Sequence, residues 1–188
     1  MRFFTTLSFL LFASVALMAQ GFAYLNLTTA DGAERSIAAA QVKITFANGV
    51  LVAVSSKGGA EMGIDADGNS RITIKGGYVF TGGGNQGGSS STIGSASQGY
   101  YWLTGKSFSE TNYYTLADAS DNNIFTIKLP CSVNSSYSLI SAPQMVKGST
   151  YTLKSSTTAP TDATSEFEGF YLGSSAKGTT TVASFTAQ

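Results

Sequence analysis

Two segments of this 188-residue chain share one frame at a fixed offset of 28 residues, and that offset narrows the possible folds more than any other feature. The first runs Val42-Lys-Ile-Thr-Phe-Ala-Asn-Gly-Val-Leu-Val52. The second, Arg71-Ile-Thr-Ile-Lys-Gly-Gly-Tyr-Val-Phe-Thr81, follows Gly63-Ile-Asp-Ala-Asp-Gly-Asn69. Ile44 matches Ile72, Thr45 matches Thr73, Gly49 matches Gly77 and Val52 matches Phe80. Each copy reads as a strand, a glycine turn and a second strand. One such unit cannot bury its apolar face alone, so a repeat of this length predicts stacked units, here a short right-handed β-solenoid. The region 24–99 is expected to hold its coils, and 100–188 to continue it as a β-rich C-terminal cap or extension.

The amino terminus falls outside that reading. Arg2 gives a short positive stretch, Phe3 to Met18 is mostly apolar, and small residues around Gly21-Phe22-Ala23 offer a cleavage point. This predicts a secretory signal peptide over 1–23. The apolar run is too short to read as a membrane span, and no cysteine lies beside the cleavage point, so the expected product is exported, free of a lipid anchor and without a membrane span. About 165 of the 188 residues then remain, enough for one domain with a sizeable core.

Charge narrows the partners. Eleven Lys and Arg balance eleven Asp and Glu, and loss of Arg2 leaves the mature chain at −1. Nucleic acid and anionic membrane both demand clustered cations, so neither is expected. The one cysteine, Cys131, permits no internal disulfide and reads as a buried thiol or an intermolecular link. There is no histidine, which removes the commonest general base and metal ligand.

Along the chain, apolar residues alternate with polar ones at Tyr24–Thr28, Ile72–Ile74, Phe125–Leu129 and Tyr151–Leu153, and no long helical stripe appears. Asp31-Gly32, Asn48-Gly49, Asp67-Gly68 and Gly76-Gly77 supply turns. The class is all-β, with Ser36 to Gln41 as the one place for a helical turn. Gly82 to Ser97 is rich in glycine and serine and reads as a loop or hinge. Short strands are expected at Tyr100–Leu103, Tyr113–Leu116, Ile124–Leu129, Tyr137–Ile140 and Ser149–Leu153.

The runs Gly63 to Asn69 and Ile72 to Asn85, with Asp118 to Pro130, Ser138 to Leu153 and Gly178 to Phe185, resemble a secreted bacterial carbohydrate-binding family of pectate-lyase-like β-helices. One clostridial member of that family binds polygalacturonate. The resemblance spans about residues 58–188 and implies a polysaccharide partner, uronic-acid polymers foremost, and calcium as an option. Tyr24 to Ser56 instead looks like a short leading module of exported proteins from gut Bacteroidales-type bacteria.

Asp65, Asp67 and Asn69 alternate, so on an extended backbone three hard oxygen donors share one side, and Glu61 stands nearby. They read either as a structural turn or as part of a Ca²⁺ shell. Arg71 and Lys75 share a strand face, as plain surface charges or as partners for sugar carboxylates. Tyr101 and Trp102 lie in the densest aromatic cluster and are either core residues or a platform for sugar rings. Gly82 to Gly87 satisfies G-x-G-x-x-G without the helix that a nucleotide site requires. Ser174 to Lys177 spells S-x-x-K with no companion motif. Glu166 and Glu168 alternate along a prospective strand and read as solvated. The expected function is therefore non-catalytic polysaccharide binding. A structural or adhesive surface module is the alternative, and a polysaccharide lyase the third reading.

Overall fold

The computed structural model describes residues 24–28, 34–38, 44–56, 63–64, 70–84 and 92–188. The chain divides at residue 43 into two compact units. In the first, β1 (Tyr24–Thr28) and β2 (Glu34–Ala38) form an antiparallel hairpin in which Asn26 faces Ser36. Ser36, Ile37 and Ala38 are thus extended where a helical turn was expected to start, while Ala39, Ala40 and Gln41 lie outside the described residues. Pairing with β1 outweighs the weak local preference for helix. The predicted turn at Asp31-Gly32 and the predicted signal peptide lie outside the described residues.

The second unit is all-β, with no helix among its described residues. Strand β3 (Ile44–Phe46) turns through Asn48-Gly49 into β4 (Val50–Val54). In the same way β5 (Ile72–Ile74) turns through Gly76-Gly77 into β6 (Tyr78–Gly82). The two copies stack in parallel: Ile44 pairs with Ile72, Thr45 with Thr73, Val50 with Tyr78 and Val52 with Phe80. The structural register is the 28-residue offset itself. Gly49 and Gly77 share a φ of 87°, a left-handed conformation in which glycine carries no steric penalty. At Gly77 a side chain has no room in any case, since a Cβ would stand 2.7 Å from the Gly49 carbonyl oxygen of the copy beside it.

A third parallel strand, β7 (Ile93–Ala96), follows on β5 and lies within the stretch expected to be a loop. Only one large apolar side chain, Ile93, marks it in the sequence. Backbone pairing with β5 holds it: the Ile72 N–H donates to the Thr92 carbonyl at 3.3 Å and the Ser97 N–H to the Ile74 carbonyl at 2.9 Å.

Beyond β7 the stacking changes. Strand β8 (Tyr100–Phe108) does not lie against β6; β11 (Val133–Ser141) sits between them and runs antiparallel to both. Strands β9 (Tyr113–Ala117), β10 (Asn123–Lys128), β12 (Thr150–Ser156), β13 (Ser165–Phe167), β14 (Phe170–Leu172) and β15 (Thr180–Thr186) form an antiparallel sheet of six, ordered β13-β14-β10-β9-β12-β15. The parallel stacking ends at β6 in one sheet and β7 in the other, and the β-rich region expected over 100–188 is antiparallel.

Three sheets result, with two apolar layers between them. Sheet β4-β6-β11-β8 is apolar on both faces, because alternate residues of each strand point to opposite sides. Val79, Leu139 and Trp102 meet Ile72, Ile74 and Ile64 beneath sheet β3-β5-β7. Phe80, Leu103 and Ile140 meet Leu116, Phe125, Leu153 and Phe170 of the six-stranded sheet. The central sheet is covered on both sides, whereas no described residue packs over the outer side of β3-β5-β7.

Candidate functional site

That outer side follows from alternation along β5. Ile72 and Ile74 are fully buried, so Arg71, Thr73 and Lys75 face the other way. Stacking at the fixed offset lines Thr73 up with Thr45 on one side, and β7 brings Ser95 up on the other. The Ser95 hydroxyl donates to Thr73 Oγ1 at 3.4 Å. Ser97 Oγ donates to the Lys75 carbonyl at 2.7 Å and fixes the strand end that carries the lysine. A flat row of hydroxyls thus runs across three strands. The residue before β5 adds a half-buried guanidinium and the residue after it an exposed ammonium. Four residues of strand separate the two cations by about 13 Å along the chain. The structure places Arg71 and Lys75 on one face, as the sequence predicts.

The expected aromatic platform is different. Tyr101 and Trp102 are adjacent on β8 and so point to opposite faces. The Tyr101 ring lies parallel to Phe185, with centroids 4.4 Å apart and 10° between planes, against the apolar layer shared with the six-stranded sheet. Trp102 stacks on Tyr137 at 4.6 Å and 24°, packed against the other layer. Burial pushes the Tyr137 phenol above its ordinary pKa. Neither ring joins the other in a common surface, nor do they join Arg71 and Lys75 in one. Asp65, Asp67, Asn69 and Glu61 lie outside the described residues. Among the described residues no three His, Cys, Asp or Glu side chains converge as a metal site.

A second polar constellation, touched in the sequence only by the S-x-x-K run, lies on the six-stranded sheet, where the 173–179 segment is tied down at three points. Asp162 accepts from Ser174 Oγ at 2.8 Å, from the Ser175 N–H at 2.9 Å and from Ser175 Oγ. The Ser175 hydroxyl, its N–H and then Ser174 hold the Asp162 carboxyl down to a pKa of about 2. Asn123 Nδ2 donates to the carbonyls of Ser174, at 2.9 Å, and Ala176. Asp121 pairs with Lys154 and, at 3.0 Å, with Lys177, and both lower its pKa, Lys154 foremost. Asp118 is lowered in turn by Asn122, whose amide and backbone both donate to it. Ser174 and Lys177 are thus spent on carboxylates, and S-x-x-K here has a structural use.

These carboxylates suit anchoring better than catalysis. A general acid for glycoside cleavage needs a raised pKa, whereas Asp118, Asp121 and Asp162 are all lowered. Glu166 sits in β13 and Glu168 in the following turn, both exposed, so the pair expected to alternate along one strand is split between a strand and a bend. Cys131 is a free, half-buried thiol, pushed up by burial and then by Glu110. No described helix is long and apolar enough to cross a membrane.

Two further features are open to solvent. A groove of about 530 Å³ runs beside β7, bordered by Pro143, Val146 and Lys147. The β13–β14 hairpin turns through Glu168 and Gly169, at φ of 48° and 80°, and leaves Phe167 64% exposed at its tip. No family model matches this chain, and no match is found among curated proteins or solved structures.

Proposed function

We propose that the protein is an exported, non-catalytic carbohydrate-binding module whose ligand is a uronic-acid polysaccharide. The observation that carries this reading is the outer face of β3-β5-β7, where Arg71 and Lys75 flank Thr73 between Thr45 and Ser95. Guanidinium and ammonium groups take carboxylates by charge-assisted hydrogen bonds, and the hydroxyl row suits the secondary hydroxyls of a sugar chain. A flat strand face admits an extended polymer without a deep pocket. On this reading the two stacked copies are coils of a short right-handed β-solenoid, with the antiparallel sheets as its cap. Calcium enters as a ligand-bridging ion, on the resemblance and the spacing of Asp65, Asp67 and Asn69.

Affinity electrophoresis in gels of polygalacturonate and of a neutral glucan, with and without Ca²⁺, tests this. Retardation by polygalacturonate is expected, weakened in Arg71→Ala and in Lys75→Ala, and Lys75→Ala keeps the wild-type melting profile. Lack of retardation in every gel sinks the reading. One observation favours the alternative, a structural or adhesive surface module: the rings best suited to a sugar, Tyr101 and Trp102, are engaged in internal stacks.

A further inference from the structure

Strand β7 is an edge. It pairs with β5, and no other strand among the described residues lies on its far side. The Ser97 N–H points to the Ile74 carbonyl. Because successive residues of a strand turn their backbone groups to opposite sides, the N–H and C=O of Ala96 point away from β5, into the groove. Unpaired strand edges are templates for another strand, and native folds blunt or cover them. Here the groove wall supplies what a docking strand would meet. Val146 is 61% exposed, Pro143 is exposed beside it, and Lys147 is the one charged side chain on the lining.

The complementary element lies in the same chain. Strand β13 is the free edge of the six-stranded sheet, and all three of its residues are exposed. Its hairpin closes at Phe167 and Phe170, so the backbone groups of Glu166 turn away from β14. Glu166 carries the charge opposite to Lys147. Phe167 and Val146 are the two most exposed of the large hydrophobic residues, at 64% and 61%. Each edge therefore offers an unpaired backbone unit, one charge and one stranded apolar side chain, with opposite signs of charge.

We infer that the β7 groove of one molecule receives the β13 edge of a second copy of this chain. Glu166 meets Lys147, Phe167 covers Val146, and the backbone of Glu166 pairs with that of Ala96. The two surfaces differ, so the contact is heterologous and repeats head to tail into a ring or an open filament. A strand of three residues buries little area, which makes the association weak and concentration-dependent.

Sedimentation velocity over a concentration series of the purified chain tests this. The sedimentation coefficient is expected to rise with concentration in the wild type. Lys147→Glu alone and Glu166→Lys alone are each expected to abolish the rise, and the double exchange to restore it. Both positions are exposed, and because Glu166 also hydrogen-bonds Tyr171, a melting profile for each variant separates lost association from lost folding. Ala96→Pro removes the outward N–H of an edge strand, where proline is tolerated, and Phe167→Ser removes the apolar tip. Each is expected to be monomeric alone, and the two mixed to give dimers and nothing larger, since one intact groove then meets one intact edge. A constant monomer coefficient in the wild type overturns the inference, as does association indifferent to Lys147→Glu. Protection of Lys147 from acylation by polygalacturonate would show a glycan in the groove and overturn it equally.

Discussion

The two outer sheets of the 44–188 unit solve the same problem by different means. In β3-β5-β7 the strands are parallel and short, and what holds them is repetition: like residues stack at a fixed offset, with a glycine in the same left-handed conformation at each corner. The six-stranded sheet is antiparallel and has no repeat. Tyr78 and Phe125 meet edge to face at 6.1 Å, Phe125 stacks on Phe170 at 5.3 Å, and the 173–179 segment is tied down by Asp162, Asn123 and Asp121. Stacking by repetition leaves an outer face of regular polar side chains. Closure by aromatic packing leaves no such face, but gives the stack an end that the next coil would otherwise have to cover.

If that division is right, the largest effects come from the two apolar layers. Phe125→Ala is expected to cost about 3–5 kcal/mol and Ile74→Ala about 2–5 kcal/mol. Because the central sheet joins both layers, each should lower one common urea transition, seen alike by Trp102 fluorescence and far-ultraviolet circular dichroism. Two separate transitions would break the comparison by showing that the sheets fold apart. Next come the corners. Gly77→Ala meets the Gly49 carbonyl as well as a strained φ and should cost about 1–3 kcal/mol. Gly49→Ala has open space around it, pays for φ alone and should cost about 1 kcal/mol. Equal costs would mean that close stacking at the corner is not what selects glycine there.

The tied segment should respond to acid. The Asp162 pKa is depressed in the folded state, from 3.8 to about 2. Its stabilising contribution is therefore complete above about 3.8 and is lost as pH falls through about 2. Asp162→Asn should flatten that part of the pH–stability curve and lower the melting temperature at neutral pH, where the carboxylate's contribution is complete. A wild-type curve already flat across that window would remove the anchoring role. The smallest effect is expected at Lys75→Ala, within about 0.5 kcal/mol on stability, which makes polymer binding the sharper measure of that side chain.

The parallel register was legible because stacking of the two copies is a local rule written twice: the residues that repeat in sequence are those that pair across strands. Face assignment was legible for the same reason, since alternation around Ile72 and Ile74 sends Arg71, Thr73 and Lys75 outward. Strand β7 was hidden because backbone pairing and one isoleucine hold it, and a parallel ladder leaves little trace in composition. The insertion of β11 between β6 and β8 joins segments far apart in the chain, and no local spacing encodes such a pairing. Tyr101 and Trp102 show the same limit: alternation says that they oppose each other, but only packing decides that Phe185 and Tyr137 take them.

The sequence by itself therefore determined the all-β class, the 28-residue register and which side of β5 faces water, because each depends on neighbours a few residues or one repeat away. Tertiary structure decided where stacking stops, which aromatic rings are spent inside, how the carboxylates near the carboxy terminus are occupied, and which strand edges stay open. Those outcomes depend on which distant segments win a shared surface, and that competition is settled by the burial and pairing of the whole unit at once.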